Sequence, residues 1–176
     1  SEARWVKGVP AGLVDGVPTT IKDLVATKGW STRRGSLSSS EDGPWDEDHP
    51  LVGKLRAHGA VLLGKTTTPE FGWKGVTDSP LTGITRNPWD PSKTPGGSSG
   101  GAAAAAAACM GALHHGSDGG GSIRMPAGYT VIYGIKPTFG RVPTWPASGF
   151  GSLSHQGPMT RTVADASLML TVMAEP

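Results

Sequence analysis

The stretch from residue 96 to residue 124 reads GGSSGGAAAAAAACMGALHHGSDGGGSIR and carries a serine-bearing glycine cluster at each end. Glycine permits close backbone approach and positive φ values that other residues avoid. Successive N–H groups in such a turn can converge on one point and bind an anion. A serine at the end of a cluster, such as Ser122, would then be a nucleophile beside its own oxyanion-binding groups.

These clusters admit three other interpretations. Glycine–serine clusters are also typical of turns and linkers, but the alanine run 102–108 and the apolar run 131–135 argue against a linker. A phosphate-binding loop needs G-x-x-x-x-G-K-[ST] or a strand-borne G-x-G-x-x-G, and neither is present. Residues 96–100 fit the G-x-S-x-G elbow of α/β-hydrolases, but residues with loop chemistry precede them instead of a buried strand.

The chain resembles the amidase signature family of serine hydrolases. The resemblance runs from about residue 12 to residue 174. It rests on the order and spacing of six strings, which are 16–23 (GVPTTIKD), 64–72 (GKTTTPEFG), 86–90 (RNPWD), 95–101 (PGGSSGG), 116–124 (GSDGGGSIR) and 134–138 (GIKPT).

The resemblance implies a Ser-cisSer-Lys triad. Ser122 would be the acylated nucleophile, Ser98 the bridging serine held by a cis peptide to Gly97, and Lys22 the base that starts the proton relay. The gap of 24 residues (122 − 98 = 24) is the family's spacing and selects Ser98 over Ser99. A lysine can accept a proton in this way if burial lowers its pKa from the ordinary value of about 10.4.

The resemblance also implies roles for residues around the triad. Ser117, Asp118 and Arg124 would support the site from outside the triad. Gly72 and Trp73 match a region that lines the acyl pocket, with plain packing as the alternative for the tryptophan. No cofactor and no metal are implied. The oxyanion hole would be formed by the backbone N–H groups of Gly119, Gly120, Gly121 and Ser122.

The fold class that we expect is α/β, because strand-like and helix-like segments alternate along the chain. The resemblance implies the amidase-signature fold, with a mixed β-sheet core covered by helices on both faces. A chain of 176 residues suffices for one domain with a sizeable core. Family members are usually more than twice as long, so we expect residues 1–176 to be a single, partial amidase-signature domain that is truncated at both ends.

Local signals predict several elements. Asp48 is the expected cap of the first helix, with Pro50 in its first turn. Thr162-x-x-Asp165 resembles a capping box at the start of the last helix. The elements predicted in chain order are a helix at 48–58, a short buried strand at 60–63, a helix at 99–110, a strand at 113–116 and a helix at 162–174.

Composition narrows the range of partners. The chain has 16 Lys and Arg against 14 Asp and Glu, scattered along its length, so it lacks a nucleic-acid footprint. No apolar run reaches the ~18 residues of a membrane span. The single cysteine, Cys109, fits a reducing compartment, so we expect a cytoplasmic protein and a buried structural thiol. His114 and His115 should point to opposite faces of a strand, which disfavours a shared metal ion.

The function expected from the resemblance is cofactor-free hydrolysis of a carbon–nitrogen amide bond through a Ser122 acyl-enzyme. The substrates would be small, linear, non-peptide amides, with esterase activity on the side. Neither nucleic acid nor membrane is an expected partner, and a homodimer is an option for a longer protein. Two alternatives remain open: one component of a glutamine-dependent amidotransferase that acts on aminoacyl-tRNA, and an inactive remnant that serves as an interaction module.

Overall fold

A mixed β-sheet forms the centre of the computed structural model, which describes residues 1–176. The sheet has five strands in the order β2-β1-β5-β7-β6, and β3 and β4 form a separate hairpin. β1 is parallel to β2 and β5, whereas β7 is antiparallel to β5 and β6. The strands are β1 (Pro18–Lys22), β2 (Val61–Thr66), β3 (Asp78–Ser79), β4 (Gly83–Ile84), β5 (Leu113–Asp118), β6 (Tyr133–Gly134) and β7 (His155–Thr160).

Helices cover both faces of this sheet. Leu113 belongs to a core cluster with residues of α2 and α5, whereas Met159 belongs to a second cluster with residues of α3 and α4. Met159 is the register partner of His114. Because neighbouring strand residues point to opposite faces, the two clusters lie on opposite sides of the sheet. The helices are α1 (Glu2–Val6), α2 (Pro50–Ala57), α3 (Gly100–Ala107), α4 (Arg124–Thr130) and α5 (Val163–Met173).

The predicted α/β class and mixed sheet are confirmed, and so are several local expectations. The strand predicted at 113–116 is present as β5 and extends to Asp118. The helix predicted at 99–110 is present as α3, but it ends at Ala107. The Thr162 hydroxyl accepts a hydrogen bond from the Asp165 N–H at 3.1 Å, which is the cap predicted for α5. None of the helices has the length and apolar character needed to cross a membrane.

The predicted cap of α2 is wrong by one residue. His49 is the N-cap, and its ring nitrogen Nδ1 accepts a hydrogen bond from the Leu51 N–H at 3.4 Å. Asp48 instead accepts a hydrogen bond from the Lys28 N–H at 2.7 Å and forms an ion pair with Arg56. A carboxylate that is engaged by a distant segment is not free to cap its own helix.

Two burial predictions are also wrong. The strand predicted at 60–63 is β2, but Val61 and Leu63 are 42% and 53% exposed. Leu62 packs against the core cluster that contains Leu113, whereas Val61 and Leu63 point to the opposite face of the sheet, which is open to solvent at this edge strand. Cys109 is exposed because it follows the end of α3 at the surface, with a positive φ of 59°.

Candidate active site

Lys22 is the last residue of β1, and its side chain is fully buried. Its Nζ lies 2.8 Å from Ser98 Oγ, 2.8 Å from Ser99 Oγ and 2.9 Å from Ser117 Oγ. Burial lowers the pKa of Lys22 to about 7, and the attraction of Asp118 only partly opposes this shift. A lysine in this environment can exchange a proton near neutral pH.

Ser98 and Ser99 both contact Lys22, but their other hydrogen bonds differ. The Ser99 hydroxyl donates to the Ser117 carbonyl at 3.1 Å and accepts from the Ser117 N–H at 3.2 Å. Ser98 has no hydrogen-bonding partner besides Lys22 Nζ, and it lines a cavity that Ser99 does not reach. A neutral lysine has one lone pair, so one of its three hydroxyl neighbours must donate to it. Because the Ser99 proton is engaged by Ser117, the donor is Ser98 or Ser117.

The backbone around Ser98 is tightly packed. The Gly97–Ser98 peptide bond is cis, as the resemblance implies. A Cβ atom at Gly97 would lie 2.6 Å from the Val76 carbonyl oxygen, so only glycine fits there. The first glycine cluster therefore brings Ser98 to the wall of the cavity by close backbone contact.

Asp118, at the end of β5, organises the second glycine cluster. Its carboxylate accepts hydrogen bonds from Arg124 Nε at 3.0 Å and Nη2 at 2.9 Å, and from the N–H groups of Gly121 at 2.7 Å and Ile123 at 3.1 Å. Burial opposes ionisation of Asp118, but these hydrogen bonds outweigh it and lower its pKa to about 2. The carboxylate is therefore ionised at neutral pH and holds the loop that precedes Ser122.

This arrangement corrects one expectation about the oxyanion hole. The Gly121 N–H is engaged by Asp118 and is not free to bind a second anion. The N–H groups of Gly119, Gly120 and Ser122 have no protein acceptor. Three free N–H groups are thus available in this loop instead of the expected four.

A cavity of about 690 Å³ lies against these groups. Ser122 lines it together with Ser98, Ser117, Gly119 and Gly120. The Ser122 hydroxyl has no hydrogen-bond partner, so the Ser98–Ser122 contact of the implied relay is not formed in this structure. Hydrogen bonds of catalytic groups are often long or absent without substrate.

Trp73 and Gly72 also lie in the cavity wall, as the resemblance implies. The Trp73 side chain is mostly exposed, so its ring is available to contact a ligand. Several other residues of the wall were not predicted from the sequence. Leu24 and Val25 follow Lys22 by two and three residues along the chain, and that proximity is the signal that could have found them. The remaining unpredicted wall residues include Arg34, His49, Met125 and Gln156.

His114 and His115 point to opposite faces of the sheet, as predicted. His114 Nδ1 lies 2.9 Å from Thr20 Oγ1, whereas His115 Nε2 lies 2.8 Å from Gln156 Oε1. Burial lowers the pKa of His114 to about 4 and that of His115 to about 3. Both imidazoles are therefore neutral at physiological pH.

The fold and the lysine–serine cluster together define an α/β protein with a serine-lined cavity beside its central sheet. The chain matches the family model described as Amidase over residues 2–176. The chain belongs to this family, the amidase signature family.

Proteins similar to this chain carry several different names. The chain is 45% identical over 182 residues to "Indoleacetamide hydrolase" of Bradyrhizobium diazoefficiens, covering 99% of this chain and 34% of that protein. It is 44% identical over 178 residues to a glutamyl-tRNA(Gln) amidotransferase subunit of Pediococcus pentosaceus, covering 99% of this chain and 36% of that protein. A solved structure described as "Crystal structure of amidase" has a TM-score of 0.89 and 40% identity, covering 98% of this chain and 39% of that one. The chain spans about a third of the length of the curated relatives it matches.

Proposed function

We propose that this chain carries the catalytic centre of an amide hydrolase that acts through a Ser122 acyl-enzyme. The observation that carries the proposal is the buried Lys22, with Nζ 2.8 Å from Ser98 Oγ and a pKa lowered to about 7. Without a neighbouring base, a serine hydroxyl is a poor nucleophile. A neutral Lys22 supplies that base behind Ser98, which lines the same cavity as Ser122.

In the proposed reaction, Ser122 Oγ attacks the amide carbonyl carbon. Its proton passes to Ser98 Oγ while the Ser98 proton passes to Lys22 Nζ. The N–H groups of Gly119, Gly120 and Ser122 donate to the developing oxyanion. The proton then returns to the amine as the carbon–nitrogen bond breaks, because an unprotonated amine is a poor leaving group. Water, deprotonated by the same groups, hydrolyses the ester and releases the acid.

We further propose that the substrates are small linear amides with a bulky or aromatic acyl group. Trp73 supports this, because its exposed ring lies in the wall of the cavity. The name of the similar indoleacetamide hydrolase also refers to an aromatic amide.

We infer that residues 1–176 form one domain, since both core clusters pack against the same sheet.

A second candidate is one component of a glutamine-dependent amidotransferase, which the 44% identity to the Pediococcus pentosaceus protein favours. In that case glutamine would be the amide, and the ammonia would be delivered to a partner's site. Release of ammonia from glutamine only in the presence of partner proteins would support this candidate. An inactive interaction module would not need a buried lysine surrounded by three serine hydroxyls.

Labelling with a fluorophosphonate, followed by peptide mapping, tests the hydrolase proposal. We expect one adduct on Ser122, with no label on Ser122→Ala. Ser98→Ala should slow labelling on the order of 10²- to 10⁴-fold, as expected for loss of proton transfer. Ser99→Ala is the matched control and should retain most of the rate, because the Ser99 proton is engaged by Ser117. Equal losses in the two variants would contradict the role of Ser98, and folded protein without an adduct would contradict the proposal.

A further inference from the structure

Gln156 is a buried polar residue of the cavity wall that the proposed reaction does not use. It lies in β7, opposite Ser117 in the register of β5 and β7. Its exposed fraction is 7%, and it lines the same cavity as Ser98 and Ser122. A polar side chain buried to this degree normally has all of its hydrogen-bonding groups satisfied.

His115 determines which end of the Gln156 amide faces the cavity. The backbone N–H of Lys22 donates to His115 Nδ1 at 3.4 Å, so Nδ1 must be the acceptor. Burial lowers the pKa of His115 to about 3, and the ring is therefore neutral with its proton on Nε2. Nε2 lies 2.8 Å from Gln156 Oε1 and must donate to it. The amide orientation therefore follows from hydrogen-bond chemistry.

The opposite end of the Gln156 side chain has no partner within the protein. Its amide nitrogen forms no hydrogen bond within the protein. This nitrogen is not sealed from solvent and keeps some accessible surface. Since Gln156 is almost wholly buried and its remaining surface belongs to the cavity wall, the N–H groups are presented to the cavity. A hydrogen-bond donor without a protein partner in the cavity wall can be satisfied by an acceptor atom of the ligand.

We propose that Gln156 is a specificity-determining residue that donates a hydrogen bond to an acceptor oxygen of the substrate outside the scissile amide. His115 is its positioning residue, because it holds Oε1 and leaves only N–H groups toward the ligand. The inference rests on the proposed hydrolase function. It predicts that an amide carrying an ether or carbonyl oxygen in its acyl chain is preferred over the same amide with a methylene there.

The test is a series of amides in which an ether oxygen replaces a methylene at successive positions of the acyl chain. One net hydrogen bond corresponds to a preference on the order of three- to tenfold in kcat/KM. We expect this preference at one position in the wild-type protein and its loss in Gln156→Met, which has similar size. Gln156→Glu keeps an oxygen for His115 but presents another oxygen to the cavity, so the preference should also be lost. If the wild-type protein shows no preference at any position of the acyl chain, the inference is overturned whatever the variants show.

His115 and His114 provide a matched pair of variants. Both are buried in β5, but only His115 contacts Gln156. His115→Leu should reduce the preference for the oxygen-bearing substrate, because the amide can then turn. His114→Leu should retain the preference, even if it lowers stability as much. An equal preference in both variants would overturn the positioning role.

Labelling of Ser122 separates this inference from the proposed function. If the wild-type protein is labelled on Ser122 but shows no preference for the oxygen-bearing amides, the hydrolase proposal stands and the role of Gln156 is overturned. A folded protein without a Ser122 adduct overturns the hydrolase proposal itself.

Discussion

At the scale of single residues, Lys22 is the group whose protonation controls the proposed chemistry. Its pKa of about 7 results from burial, because the surrounding protein stabilises an ammonium less well than water does. His49 in the cavity wall and His115 beside Gln156 do not titrate in this range, since burial lowers the pKa of His49 to about 4 and that of His115 to about 3. Asp118, with a pKa of about 2, remains ionised throughout.

We therefore expect the rate of Ser122 labelling to rise with pH through about 7. Below this pH Lys22 is protonated and cannot accept a proton, and above it the neutral amine can. The measurement is the second-order labelling rate between about pH 5.5 and pH 9. Lys22→Met should lose the rate at every pH.

Lys65 is the second lysine whose protonation could shape this profile, because burial lowers its pKa to about 8. Its Nζ contacts the Val25 carbonyl oxygen at 2.7 Å and Thr32 Oγ1 at 2.8 Å, outside the lysine–serine cluster. Lys65→Gln should therefore leave the midpoint near that of Lys22, at about 7. A midpoint that disappears in Lys65→Gln, or a flat profile in the wild type, would contradict the assignment of the base to Lys22.

At the scale of elements, helix termini show which local signals are sufficient. Thr162 caps α5 as predicted, because its hydroxyl and the Asp165 N–H are three residues apart and need no other segment. The cap predicted for α2 is not formed, because Asp48 is engaged by Lys28 and Arg56 and His49 caps the helix instead. A local motif thus determines a cap only when no distant group competes for the same oxygen atoms.

Thr162→Ala should lower the free energy of unfolding by about 1 kcal/mol, because the N–H of Asp165 loses its acceptor. Urea denaturation of the purified protein measures the change. Thr171→Ala on the same helix is the control, since its hydroxyl bonds to the Ser167 carbonyl and caps nothing. That variant should be neutral or slightly stabilising, given the higher helix propensity of alanine. Equal losses in both variants would contradict the capping role.

At the scale of the complete fold, the site depends on how closely α3 packs against the chain that follows β2. A Cβ atom at Gly101 would lie 2.4 Å from the backbone nitrogen of Thr67 and 2.6 Å from its carbonyl oxygen. The first glycine cluster is therefore a packing surface as well as part of the candidate site. This packing role explains why residue 101 is glycine although Gly101 does not line the cavity.

Gly101→Ala should destabilise the fold by about 1–3 kcal/mol or more, because backbone must shift to admit the methyl group. Gly53→Ala is the control, since a Cβ atom at that position of α2 meets nothing within 4 Å. It should stabilise the fold by about 0.5–1 kcal/mol, the usual difference between glycine and alanine in a helix. Urea denaturation compares the two variants, and a Gly101→Ala variant as stable as wild type would contradict the close packing.

The family, the α/β class and the candidate residues Lys22, Ser98 and Ser122 could all be predicted from the order of amino acids alone. This was possible because short strings with characteristic order and spacing carry these properties. Catalytic roles for the three residues remain predictions, although the structure brings Lys22 and Ser98 into contact.

Which groups are free and which are engaged became clear only from the three-dimensional arrangement. The fold places β2 at an edge of the sheet, pairs the Gly121 N–H with Asp118, and orients Gln156 through His115. No local pattern specifies these outcomes, because burial and hydrogen-bond partnership depend on segments far apart in the chain, such as β5 and β7. Local motifs determine which chemical groups are present, and long-range packing determines which of these groups remain free to bind a ligand.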